Sequence, residues 1–229
     1  MLPKASKCVF HASSVEYLGY AVSSDGLRIN SSKVQKLINW PQPKNIKDLQ
    51  SFLGFCNLYC CFIRNYSKKE TSLTSLLKND SSFIFNEESL SQFQILQEDF
   101  ITAPILSDFN TSLPSIVETN ASDYAFGAVL SQVNDSGKHP IAFDSRKRLP
   151  AEMNYEIHDK ELLGIFWASP FSLSNPFEVL KDHSSLQYFM SSEVLTCFQA
   201  CWAEFLSEFH FTITYLPERL ATLQDALSC

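Results

Sequence analysis

No apolar run in this 229-residue chain approaches the roughly 20 residues needed to cross a bilayer. The opening stretch MLPKASKCVFHASS has no apolar core of the kind that marks a secretory signal. There is no G-x-x-x-x-G-K and no G-x-G-x-x-G, so the glycines of a phosphate-cradling loop and of a dinucleotide fold are both missing. There is no G-x-S-x-G turn to present a serine nucleophile. No C-x-x-C pair occurs, and the cysteine count of seven is odd, so a zinc knuckle and a secreted disulfide framework are both poorly served. No internal repeat or low-complexity tract is visible. These absences leave a soluble intracellular protein, cytoplasmic or nuclear and not secreted, as the expectation, with no small-molecule cofactor.

What is present is enough for a core. Hydrophobic residues make up 45% of the chain and charged ones 19%, and the length suits one or two domains. The net charge of -7 hides an asymmetry. Residues 1–80 hold 11 Lys and Arg against 5 Asp and Glu, a net of +6, whereas residues 81–229 hold 7 against 20, a net of -13. A basic first part favours a phosphate backbone and an acidic second part favours cations. Unevenly charged faces are common, so composition alone does not decide for nucleic acid. Cys197 and Cys201 lie four apart on an expected helix and share a face, as packing or surface residues before ligands.

The hydrophobic pattern divides the chain. Residues 8–30 read as two short strands, with Tyr17-Leu18-Gly19-Tyr20 as a hairpin and SSDG as a turn. Ser31 or Ser32 is placed to cap a helix over SSKVQKLINW, in which Val34, Leu37 and Ile38 share a face. Asn45 is the expected cap of the next helix, with Ile46, Leu49, Leu53 and Cys56 at helical spacing. KKETSLTSLLKN predicts a further helix. NEESLSQFQILQEDFITA predicts another, striped by Phe93, Leu96 and Phe100, at the joint between two parts.

Beyond it the pattern changes. LPSIVETN, YAFGAVLSQV and HPIAFDSR read as consecutive strands, with NDSGK as the hairpin loop between the last two. AEMNYEIHDKELLGIFWA then predicts a helix, PFEVLKD a strand, SSLQYFM and VLTCFQACWAEFLSEF two helices, FTITYL a strand and ATLQDALS a last helix. Three meandering strands followed by alternating helices and strands imply an α/β (α+β) fold with a mixed five-stranded sheet and helices on its faces.

Many short stretches, in order, carry a resemblance. NASDYAFGAVLSQ, HPIAFDSRK, NYEIHDKELLGIFWA, FEVLKDHSSLQYF and LQDALS resemble the ribonuclease H domain of gypsy-type LTR retrotransposon polyproteins. KCVFHASSVEYLGYAVSSDGLRINSSKVQKLINWPQP and DLQSFLGFCNLYCCFIRNYSK are similar to the end of the palm and the thumb helix of the attached reverse transcriptase. The resemblance implies four parts: a palm remnant at 1–30, a thumb-like helical bundle at 31–80, a connecting helix and linker at 81–111, and an RNase H-like domain at 112–229. It implies Mg²⁺-dependent hydrolysis of the RNA strand of an RNA–DNA hybrid, with two ions roughly 4 Å apart activating a water and stabilising the leaving oxygen. The metal-binding and catalytic acids it implies are Glu161 on the first helix, Asp182 at the end of the fourth strand and Asp225 on the last helix. At the end of the first strand, where the family has an Asp, stands Asn120.

The departures from the family bear on activity. An amide at position 120 removes a negative charge from the most demanding corner of a two-cation site, with an expected loss of several orders of magnitude in rate. Asp123 is a nearby candidate substitute, expected beyond the strand end. Pro170 is expected to stop the first helix early. Cys60, Cys61, Cys197, Cys201 and Cys229 stand where the family tends to have Arg, which removes phosphate contacts and suggests a decaying element copy. No Y-x-D-D occurs, so this stretch is not expected to polymerise DNA. His158 and His183 neighbour the acids, and their plain reading is as helix-start or surface residues. Two other readings stand beside impaired hydrolysis: a module that binds nucleic acid or a protein without cutting, and a decayed copy with no role.

Overall fold

The computed structural model describes residues 11–78, 83–122, 124–168, 176–181 and 195–215. The N-terminal sheet has three antiparallel strands, β1 (Ser14–Tyr17), β2 (Tyr20–Ser23) and β3 (Gly26–Ile29). One strand more is present than the β-branched and aromatic content implied. Leu18 and Gly19 both take positive φ, 50° and 89°, which reverses the chain inside VEYLGYAV. The Leu27 amide donates to the Leu106 carbonyl at 2.7 Å, which ties this sheet to the segment entering the second half.

Helix α1 (Ser31–Ile38) is capped by Asn30, not by Ser31 or Ser32. Its side chain accepts from the Ser32 amide at 2.8 Å, the reach an Asn carbonyl has from one position further back. Helix α2 (Ile46–Asn57) is capped by Asn45, which accepts from the Asp48 amide at 3.0 Å. Leu49, Phe52, Leu53 and Cys56 are buried, while Ile46 falls outside the core. The stretch expected as one further helix forms two short ones, α3 (Tyr66–Lys69) and α4 (Thr71–Ser75), meeting at Glu70. Thr71 and Thr74 hydroxyls donate back to carbonyls one turn earlier, the competition with the helix ladder that bends such segments. Helix α5 (Glu87–Ile101) buries Phe93, Leu96 and Phe100 against α1 and α4, with Phe93 4.6 Å centroid to centroid from Phe52. One hydrophobic core therefore runs from Leu37 to Leu106.

The second core lies against one face of a five-stranded sheet. Its strands are β4 (Ser115–Ala121), β5 (Ala125–Asn134), β6 (Gly137–Lys147), β7 (Phe177–Lys181) and β8 (Phe211–Tyr215), in the order β6-β5-β4-β7-β8. The first three form an antiparallel meander, and β7 and β8 add in parallel. Helices α6 (Ile157–Ala168) and α7 (Cys197–Leu206) supply Leu162, Ile165 and Leu206 to this core. The result is the expected mixed α/β fold with helices flanking a mixed sheet. The helices expected over SSLQYFM and ATLQDALS lie outside the described residues.

Strand alternation divides the sheet cleanly. Val117, Ala128, Leu130 and Val179 face α6 and α7. Glu118, Gly127, Ser145 and Lys147 face the first core, where Ser67 both donates to Ser145 Oγ at 2.8 Å and reaches its carbonyl at 3.0 Å. Lys147 pairs with Glu70 at 3.4 Å, and Arg64 with Glu118 at 4.0 Å. Gly127 packs closely at this seam, where a Cβ would displace the Asn65 side-chain amide.

Candidate active site

Strand β4 is the central strand of the five, and the sequence reading puts the degenerate site position at its C-terminal end. Asn120 lies there, exposed and in register with Gly127 of β5. By alternation it sits on the Glu118 face, opposite Val117 and Thr119. It lines a shallow cleft with Asn65, Lys68, Ser122 and Gly127. Lys68 comes from α3 and brings one positive charge to the rim of this cleft. Arg64, just before α3, is held near by its pairing with Glu118, which also pairs with Lys138.

Glu161 lies in the second turn of α6, which packs on β4. It is 7% exposed. Its carboxylate accepts from the ammonium of Lys181, whose side chain is fully buried. The position of Lys181 follows from strand period. Phe177, Val179 and Lys181 alternate inward along β7, and Val117 and Val179 are partners across the β4–β7 pair. Once Val179 is locked in the core, the residue two places on must face the same way. Gly164 of α6 lies beside it. A Cβ at that point of α6 would sit in ordinary contact, 3.8 Å from Lys181 Nζ, 3.9 Å from Thr119 Oγ1 and 3.6 Å from Phe126 Cδ1. Among the described residues the buried Thr119 hydroxyl has no hydrogen-bond partner.

Of the four positions singled out in the sequence, Asn120 and Glu161 are thus placed, on opposite faces of β4. Asp182, Asp225, Asp123, His183 and Pro170 lie outside the described residues. His158 is exposed in the first turn of α6. Among the described residues no three His, Cys, Asp or Glu side chains gather as a cation site. The described donors do not suit a divalent ion. One is a neutral amide, and the other is a carboxylate whose charge an internal ammonium already balances. The residue that sequence reasoning missed is Lys181. Its signal was available in the alternation of FEVLK, where a lysine occupies the third inward position.

Other ionisable groups are less suited to chemistry. Burial pushes the Cys61 thiol up to about 11 and the Cys56 and Cys60 thiols upward as well. All three are protonated near neutrality and so poor nucleophiles.

Residues 85–172 match the family described as an RNase H-like domain found in reverse transcriptase. More particularly, the chain is similar to the transposon Tf2-3 and Tf2-4 polyproteins of Schizosaccharomyces pombe (strain 972 / ATCC 24843). Each is 35% identical over 232 residues, a match that covers 97% of this chain and 17% of the relative. The chain therefore spans less than a fifth of those polyproteins. Among solved structures it is similar in fold to the foamy viral protease-reverse transcriptase in complex with RNA/DNA hybrid, with a TM-score of 0.74 and 23% identity over 90% of this chain and 30% of that one. The same enzyme in complex with dsDNA gives a TM-score of 0.73 and 23% identity, covering 90% of this chain and 45% of that one. Among the described residues no helix is long and apolar enough to cross a membrane.

Proposed function

We propose that this chain is a piece of a gypsy-type LTR retrotransposon polyprotein. Residues 1–30 are a palm remnant, 31–80 a thumb-like bundle, 81–111 the connection and 112–229 the RNase H-like domain. Its ancestral activity is Mg²⁺-dependent hydrolysis of RNA in RNA–DNA hybrids during reverse transcription, and in this copy that activity is impaired while hybrid binding persists. Glu161, Asp182 and Asp225 are the acids assigned to the metal-binding set, with Asn120 at its degenerate corner.

The observation that carries the reading is the place of Asn120. It stands exposed at the end of the central strand, where the resemblance implies an acid and this chain has an uncharged amide. Two further features support hybrid binding. The solved neighbours of this fold carry RNA/DNA hybrid and dsDNA. Lys68 lines the Asn120 cleft, so the rim that would meet a phosphate backbone carries a positive charge.

The test pairs binding with cleavage on one labelled RNA–DNA hybrid. Retention on a filter should weaken steeply as salt rises, and Lys68→Ala should reduce the salt slope by about one. Cleavage in Mg²⁺ should stay at background. Efficient cleavage by the unaltered chain would remove the impairment from this reading. Absence of any salt-dependent retention would remove the binding and leave a decayed copy.

A further inference from the structure

We infer that Lys181 is the resident cation of this site: its ammonium neutralises Glu161 in the place a divalent ion would take, and it excludes that ion. The inference rests on the assignment of Glu161 to the metal-binding set and goes beyond it, because nothing in that assignment involves Lys181.

Three observations carry it. First, the lysine has no exit. β7 continues inward through Phe177 and Val179, and the side chain of Lys181 is wholly out of solvent, under α6. A buried ammonium must be paired, and it is paired with Glu161. Second, Gly164, Thr119 and Phe126 surround the ammonium: a Cβ at 164 would stand in ordinary contact, 3.8 Å from Nζ. Third, the buried Thr119 hydroxyl has no hydrogen-bond partner among the described residues, so an oxygen ligand is left over beside the pair.

The physical consequence is repulsion. A dication brought to Glu161 would meet a fixed positive charge in a poorly screened interior, where like charges interact far more strongly than in water. Position 120 lies on the other face of β4, so an acid restored there does not relieve that repulsion. Removing the ammonium leaves a buried carboxylate without its counter-charge, which creates a demand for another cation.

Calorimetric titration of the whole chain with Mn²⁺ tests this, using the wild type, Lys181→Met and Lys181→Met/Glu161→Gln. The wild type should show no saturable binding. Lys181→Met should bind Mn²⁺ saturably, and adding Glu161→Gln should abolish that binding. Lys181→Gln, which keeps a donor to Glu161 without the charge, serves where the methionine variant does not fold. Saturable binding by the wild type that Glu161→Gln abolishes would overturn the inference and leave the metal-set assignment standing. A folded Lys181→Met variant that binds no Mn²⁺ would overturn both the inference and that assignment, while the hybrid-retention result stands on its own.

Discussion

Lys181 and Glu161 show why single residues decide this protein. A buried ion pair contributes little net stability when intact, yet deleting one partner leaves a charge stranded in the interior. Lys181→Ala should therefore cost about 3–5 kcal/mol in urea unfolding, whereas Lys181→Met/Glu161→Leu should cost far less, because neither charge remains. Equal losses for the two variants would show that the pair is not the dominant interaction. Gly127 makes a second single-residue case. A methyl group there would collide with Asn65, whose own backbone is already in the left-handed region at φ 55°. Gly127→Ala should destabilise the chain by about 1–3 kcal/mol through that overpacking, and a substitution within experimental error would refute the close approach. Among the described cysteines, peptide-level alkylation should modify the exposed Cys197 and Cys201 well before the buried Cys56.

At the scale of elements, the local signals are legible. Asn45 was placed as a cap by its position just before the apolar stripe that follows, and the structure shows it capping α2. Asn45→Ala should lower stability by about 1 kcal/mol, measured by the shift in the urea midpoint at constant slope. The Phe93, Leu96 and Phe100 stripe of α5 was equally plain, since one face of a long helix must meet a core. Phe93→Ala should cost about 3–5 kcal/mol, because Phe52, Phe85 and Phe93 pack as a ring cluster that cannot close over the gap. The missed features were those with no periodicity to read. The Leu18–Gly19 reversal rests on two residues, and the break at Glu70 depends on threonine hydroxyls and on the seam with β6, neither of which alters the hydrophobic pattern.

At the scale of the whole molecule, the seam between the two cores is held by polar contacts that titrate. Burial lifts Glu70 above the ordinary carboxylate range, with Lys147 pulling it partly back. The folded state then holds the Glu70 proton more tightly than the unfolded chain does. Stability from this group is present below the ordinary glutamate value and is lost as pH rises through the raised one. Burial lowers Lys147, with Glu70 opposing the shift, so at the alkaline end stability rises as pH climbs from the lowered value to the ordinary lysine value. Thermal melting from mildly acidic to neutral pH should show the acid-side decline in the wild type and a flatter profile in Glu70→Gln. An unchanged slope in that variant would mean that Glu70 does not couple the cores to pH.

By itself, the chain's pattern of apolar residues determined the helical first half, the meander followed by alternating helices and strands, and the placement of Glu161 and Asn120 on a helix and a strand end. Those are consequences of period and capping, which are local. Only the tertiary structure decided what those residues meet. Lys181 came to rest against Glu161 because β7 pairs with β4 in one register and α6 packs over that face. Asn120 came to rest beside Lys68 because α3 docks on the opposite face. Pairing between residues far apart in the chain is set by packing and register, and neither is written in any short stretch of it.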